Sequence, residues 1–165
     1  MIPAALPDRL GGAPDGKRAL RLWLRLLTCS HIIEQTIAQR LRDAFGSTLP
    51  RFDMLSALER AGGDGLTMGE VSRMLMVSNG NVTGLARRLE TDGLIERLPG
   101  PDRRVQRVRL THEGRSRFAV MAAAHAGWID DLLAGLTADE TEELTRLLER
   151  VRGSLRAATH EEPKS

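Results

Sequence analysis

The sequence predicts a mainly α fold, a winged helix-turn-helix set between long N- and C-terminal helices. Three observations lead there. Two short capped helical segments follow one another, opening at Thr67 and Ser78. A pair of short alternating strands follows at once, folded around Pro99-Gly100-Pro101-Asp102. Long stretches of helical apolar spacing flank this middle, over 17–45 before it and from 111 to about 158 after it. Short helix, capped helix, tight turn, second capped helix and basic hairpin is the layout of a winged helix-turn-helix.

The elements are justified in order. Pro and Gly cluster over 1–16, which reads as a flexible N-terminal arm. In 17–45, Leu20, Trp23, Leu24, Leu27, Ile32 or Ile33, Ile37, Leu41 and Phe45 recur at helical spacing. Gly46 and Pro50 punctuate it, and a short helix fits 51–61, with Phe52, Leu55 and Leu58 on one face. Gly62 to Gly65 reads as a loop. Thr67-Met68-Gly69-Glu70 matches the capping box, in which Thr accepts from the N–H three residues on and Glu reaches back. The helix it opens should bury Val71, Met74 and Leu75. Ser78 caps the next helix, to about Thr91, and Gly93 stops it. Leu94 to Leu98 and Val105 to Leu110 read as hairpin strands. Thr111 opens a long helix to about Gly135, and Thr137-Ala138-Asp139-Glu140 is a second capping box before a last helix. Residues 159–165 read as a tail.

The helix over 79–91 carries the functional expectation. At 100° per residue, Val82, Leu85, Ala86 and Leu89 gather on one side. The opposite side is small and polar: Gly80, Gly84, Arg87 and Thr91, flanked by Thr83 and Arg88, with Ser78, Asn79 and Asn81 at the start. Each helical glycine costs about 1 kcal/mol relative to alanine. Two on an exposed face suit close backbone approach to a duplex. Asn can pair with adenine edges and Arg with guanine edges or phosphate. The plainer reading makes Asn79, Gly80 and Asn81 ordinary cap residues. At the hairpin tip, Arg103 and Arg104 can reach phosphates or the minor groove, and Asp102 can hold one guanidinium in place.

Charge supports an anionic partner. Residues 73–117 hold ten Arg against five acids, whereas 130–165 hold nine acids against five Lys or Arg. A solvated Arg-rich surface is the alternative. No apolar run reaches the ~18 residues of a membrane span, and no secretory signal precedes an apolar run. A single cysteine, Cys29, fits a reducing cytoplasm. It lies in an apolar helix and reads as a buried, inert thiol. His31 and Glu34 share a helical face, but no second close pair joins them, so no metal is expected. No nucleophile elbow, phosphate loop or dinucleotide fingerprint occurs, so neither cofactor nor catalysis is expected. A hydrolase built on His125 and Asp130 lacks a nucleophile.

The run from Thr67 to Leu110 resembles the multiple-antibiotic-resistance regulator (MarR) family. Asn81-Val82-Thr83 with Arg88-Leu89-Glu90, then Asp92-Gly93-Leu94, Asp102-Arg103-Arg104, and Leu110-Thr111 with Gly114 carry the likeness. The flanking helices extend it over roughly 17–158. The resemblance implies a homodimer built from the first, fifth and sixth helices, with 17–45 and 111–158 as dimerisation helices around a DNA-binding lobe over 51–110. It also implies a pseudo-palindromic duplex operator and a small-molecule effector that releases it. The segments around "MVSNGNVTGL" and "FAVMAAAHAGWIDDLL" are similar to the subgroup responding to aromatic acids or aromatic acyl-coenzyme A thioesters. Trp23, Phe52, Met54, His125 and Trp128 are then candidates for a flat apolar wall. Arg18, Arg21 and Arg25 are candidates for a carboxylate or the thioester phosphates; core packing and solvated arginines are the competing reading. A winged-helix protein-interaction module without specific DNA binding is the alternative function.

Overall fold

The structure, a computed structural model, describes residues 17–75, 78–98 and 106–160. The expected arm over 1–16, the hairpin tip over 99–105 and the tail beyond 160 lie outside the described residues. Helix α1 (Arg18–Phe45) leads into α2 (Leu49–Ala61), a 3-10 turn (Gly62–Asp64), β1 (Leu66–Thr67), α3 (Met68–Leu75) and α4 (Asn79–Thr91). Strands β2 (Ile95–Leu98) and β3 (Arg107–Leu110) follow, then α5 (His112–Leu133) and α6 (Ala138–His160).

The caps account for the boundaries. Gly46 ends α1 at φ 58, a left-handed conformation that glycine adopts without strain. Pro50 does not precede α2, as expected, but sits in its first turn, where a missing N–H costs nothing. The Thr67 box forms as the sequence implies: the Thr67 N–H donates to Glu70 Oε2 at 2.7 Å, and the Glu70 N–H donates to Thr67 Oγ1 at 3.2 Å. These bonds, the backbone N–H foremost, hold the Glu70 carboxyl below its ordinary pKa. Ser78 Oγ accepts from the Asn81 N–H at 3.4 Å, and Thr111 Oγ1 accepts from the Gly114 N–H at 2.9 Å.

Two expectations need correction here. The stretch after Gly62 is not only a loop: Leu66–Thr67 forms β1 and pairs antiparallel with β3, giving the sheet order β1-β3-β2. Gly65, at φ 61, brings its backbone so close to β3 that an added Cβ would stand 2.3 Å from the Val108 carbonyl oxygen. Met74 is not inward but 55% exposed. The eight-residue α3 packs against α2 and α4 along a narrow stripe, which buries Val71 and half-buries Leu75.

Clustering of contacts separates two units, the first ending at Ala123 and the second running from Ala124. The first has its core in the lobe. Met54, Leu55, Leu58, Val71, Val82, Leu89, Leu94, Ile95, Val108 and Leu110 are buried there. Each such side chain contributes about 1.5–3 kcal/mol on leaving water. Only Ile37 and Leu41 of α1 are fully buried, so α1 packs through its C-terminal third. Further up that helix Leu20, Leu27 and Ile32 are exposed, and so is Cys29, contrary to the buried thiol expected. In the second unit α6 opens on its Thr137–Glu140 box, with Thr137 N–H to Glu140 Oε2 at 2.8 Å, and exposes Leu144, Leu147, Leu148 and Leu155.

Candidate nucleic-acid interface

The residues that make α4 a helix also decide which face it shows. Val82, Ala86 and Leu89 are buried and Leu85 half-buried, which leaves Gly80, Asn81, Thr83, Gly84, Arg87, Arg88 and Thr91 exposed. Ser78 is exposed at the cap; the side chain of Asn79 lies outside the described residues. An added Cβ at Gly80 or Gly84 would meet nothing within 4 Å, so neither glycine is required by packing within the chain.

The α4 face carries two adjacent arginines, Arg87 and Arg88. Four lobe arginines are committed, three of them to carboxylates: Arg51 to Asp92, Arg97 to Glu90 at 3.0 Å, and Arg109 to Glu96 at 2.7 Å. Arg107 donates to the carbonyls of Asp64 at 2.8 Å and Gly65 at 2.9 Å. By contrast, the guanidiniums of Arg87 and Arg88, like those of Arg60 and Arg73 elsewhere on the lobe, have no hydrogen-bond or ion-pair partner among the described residues. Side by side on one exposed helix face, they form a cationic surface.

The hairpin root is built to be stiff. Glu96 pairs with Arg109 across β2 and β3, in a register that sets Ile95 opposite Leu110 and Arg97 opposite Val108. Arg97 also donates to Gln106 and Glu90, tying the hairpin to α4. Arg107 and Arg109, read from sequence as part of the basic hairpin, therefore serve as anchors of its root. Asp102, Arg103 and Arg104 lie outside the described residues.

Two features had no sequence signal strong enough to single them out. One is the Arg51–Asp92 pair, which links residues 41 positions apart and bridges α2 to the C-cap of α4. The other is a half-open cleft of about 770 Å³. It lies between the end of α1, the start of α2, the α4–β2 corner and the first half of α5. Arg51, Leu55, Asp92, Leu94, Arg117 and Met121 are among its lining residues.

The residues expected to bind an aromatic ligand are distributed differently. Met54 is fully buried in the lobe, with no surface to offer a ligand, because α2 packs on more than one side. Phe52 is buried against Phe118, ring centroids 5.5 Å apart. Trp23 is 56% exposed on α1, where Arg18, Arg21 and Arg25 are also exposed. His125 and Trp128 belong to the second unit. None of these residues lines the 770 Å³ cleft.

Comparisons with known proteins agree with the lobe. The MarR family model matches residues 45–105. The chain is 38% identical over 114 residues to the transcriptional activatory protein BadR of Rhodopseudomonas palustris, an alignment covering 67% of this chain. It spans 65% of BadR, slightly less than two thirds of that relative's length. Among solved structures, a MarR family transcriptional regulator from Silicibacter pomeroyi superposes with a TM-score of 0.73 at 29% identity, covering 87% of this chain and 99% of that one. A cysteine-to-serine mutant of MarR from E. coli, complexed with operator DNA, superposes with a TM-score of 0.70 at 26% identity, covering 84% and 99%. With its element order, its α4–hairpin lobe and these likenesses together, the chain belongs to the MarR family of transcription regulators.

Proposed function

We propose that the chain is a sequence-specific DNA-binding transcription regulator that reads duplex DNA with α4 in the major groove and the Arg103–Arg104 hairpin on the backbone or minor groove. The carrying observation is the pair of adjacent guanidiniums, Arg87 and Arg88, without an ion-pair partner among the described residues, on the exposed, glycine-bearing face of α4. Polyanion binding satisfies both at once, and the absence of Cβ groups at Gly80 and Gly84 lets the backbone come close. The MarR–operator complex among the solved relatives supports the same use of the fold. In this reading the protein acts in the cytoplasm, without catalysis, as a homodimer on a pseudo-palindromic operator. Its exposed leucines on α1 and α6 form the dimerisation surface. Reading helices then fall about 34 Å apart, one duplex turn.

Its regulatory role is repression of a catabolic or efflux operon, relieved by an aromatic acid or an aromatic acyl-coenzyme A. The name of BadR gives the opposite sign for that relative, so in-vitro transcription from the bound promoter must be measured in both directions. The primary test is binding to a random duplex pool across a salt series, followed by selection of the bound sequences. Steep salt dependence with an enriched palindrome is expected. A protein that binds no duplex at low salt would instead be a protein-interaction module.

A further inference from the structure

The two arginines of the α4 face share their helix with acids placed to neutralise them. Glu90 lies three residues after Arg87, and Asp92, the C-cap of α4, lies four residues after Arg88. Residues three and four apart on a helix are surface neighbours, and opposite charges at those spacings pair. The Asp92 N–H donates to the Arg88 carbonyl at 2.9 Å, so the helical spacing persists to the cap. By itself the segment from Asn79 to Asp92 carries two arginines and two carboxylates, which cancel.

Neither of these internal pairs forms. Arg97, on β2, holds Glu90 instead, its Nε donating to the two carboxylate oxygens at 3.0 and 3.2 Å. A second bond, to Gln106, fixes the same guanidinium from its other end. Arg51, on α2, holds Asp92. Both cations thus come from outside the helix, and each occupies an acid that stands within one turn of Arg87 or Arg88. Stability does not account for the match. The four side chains are between 23% and 42% exposed, and ion pairs so open to water add little to folding. What the pairs change is the charge left over. With Glu90 and Asp92 answered, the positive charges of Arg87 and Arg88 stand uncancelled on the exposed face.

We propose that Arg51 and Arg97 sequester Asp92 and Glu90, keeping those carboxylates from Arg88 and Arg87 and so leaving both guanidiniums available to the duplex. The inference rests on the DNA-reading function of α4 and adds two positioning residues, which act through the acids they hold. Without Arg97, Glu90 turns to Arg87 along the same helix; without Arg51, Asp92 turns to Arg88. A phosphate or base edge must then displace an internal carboxylate before it is bound. The displaced carboxylate, in turn, stands without a counter-charge beside a polyanion. Either way the helix neutralises less phosphate, and binding releases fewer counterions.

The test breaks each pair from either end in the full-length protein. Binding to a random-sequence duplex pool across a salt series gives affinity and slope. The Nε–Hε resonances of Arg87 and Arg88, recorded without DNA, report capture by a carboxylate. Arg97→Gln should weaken duplex binding about threefold and reduce the slope of log affinity against log salt by up to about 0.9, the contribution of one phosphate. Glu90→Gln breaks the same pair but puts nothing on Arg87, so no loss is expected. The double variant should recover wild-type affinity and slope. Arg51→Gln, Asp92→Asn and their double variant should repeat the pattern through Arg88. A pair that only braces the fold behaves otherwise, since breaking it from either end does the same harm. Equal losses in Arg97→Gln and Glu90→Gln therefore overturn the proposal, and so does a double variant no better than Arg97→Gln. If Arg97→Gln does not fold, the Arg51 set decides by the same comparison. Wild-type duplex binding with the Arg87 and Arg88 resonances unmoved in the arginine variants overturns sequestration alone. Resonances that shift in Arg97→Gln and return in the double variant, in a protein that binds no duplex, overturn the DNA-reading function alone.

Discussion

Gly114→Ala should be among the most damaging single-methyl additions this chain can receive, although it places the best helix former inside a helix. Gly114 is buried in the first turns of α5, under the α4–β2 corner. A Cβ there would stand 1.9 Å from the Leu94 carbonyl oxygen, 2.9 Å from its carbon and 3.2 Å from its Cα. All three are backbone atoms, so no side chain can rotate away. The same carbonyl accepts the Thr111 N–H at 3.1 Å, and Thr111 Oγ1 donates to the Gly93 carbonyl at 2.7 Å. Relief therefore means moving α5 off the corner by roughly 1 Å and weakening those bonds. Overpacking costs about 1–3 kcal/mol where side chains absorb it, and a backbone clash belongs at the upper end. The helix-propensity gain returns at most about 1 kcal/mol. A net loss of about 2 kcal/mol lowers the melting temperature by roughly 4–8 °C for a chain of this size. Gly84→Ala is the control, since its Cβ meets nothing within 4 Å and should hold or raise the melting point. Thermal unfolding by circular dichroism measures both. A Gly114→Ala protein as stable as wild type would refute the close approach of α5 to Leu94.

Further outcomes follow from the α4 face and the caps. Arg103→Ala and Arg104→Ala should each weaken duplex binding uniformly and reduce the slope of log affinity against log salt by about 0.9; unchanged slopes in both would remove the hairpin tip from the interface. Arg87→Ala and Asn81→Ala should alter the selected sequence as well as affinity, and a uniform loss would reduce them to phosphate contacts. The Glu70 and Glu140 carboxyls are held below their ordinary value of 4.5, chiefly by the backbone N–H groups of Thr67 and Thr137. The unfolded chain thus binds more protons at these sites. Their stabilisation is full above the ordinary value and fades as pH falls through the depressed one. A Glu70→Gln, Glu140→Gln double variant should lose less stability than wild type between about pH 5 and pH 3; an identical acid profile would exclude the linkage. Sedimentation at about micromolar concentration should show a dimer, and Leu148→Arg should disrupt it; a folded wild-type monomer would refute the dimerisation surface.

What the sequence made legible was local. Both capping boxes, the Ser78 cap and the stop at Gly93 are chemistry contained within four residues, and each boundary followed from them to within a residue or two. Val82, Ala86 and Leu89 were assignable because a helix that must bury one side leaves a periodic record. Leu66–Thr67 left no such record: two residues cannot show alternation, and their strand character comes from β3, about 40 positions away. Met74 was misplaced for a related reason, since periodicity ranks faces but cannot say how much of a face the neighbours cover. Cys29 shows the same limit on a larger scale, because an apolar helix reads as buried whether or not anything in its own chain lies over it. Gly114 is an intermediate case. Its place in the Leu110-Thr111-x-x-Gly114 motif was visible, but its reason, the Leu94 carbonyl beneath it, is a tertiary fact.

The position of α4 rests on two unlike kinds of contact. Gly93, Leu94, Thr111 and Gly114 fix the α4–β2 corner to α5 through hydrogen bonds and a close backbone approach. The Arg51–Asp92 pair is the opposite kind of contact, charged and partly exposed to solvent. An exposed ion pair contributes only about 0–1 kcal/mol, because water already solvates both charges and salt screens them. A backbone clash under the corner has no such exchange with solvent and costs its full amount. The corner, more than the ion pair, therefore decides where the reading face of α4 stands.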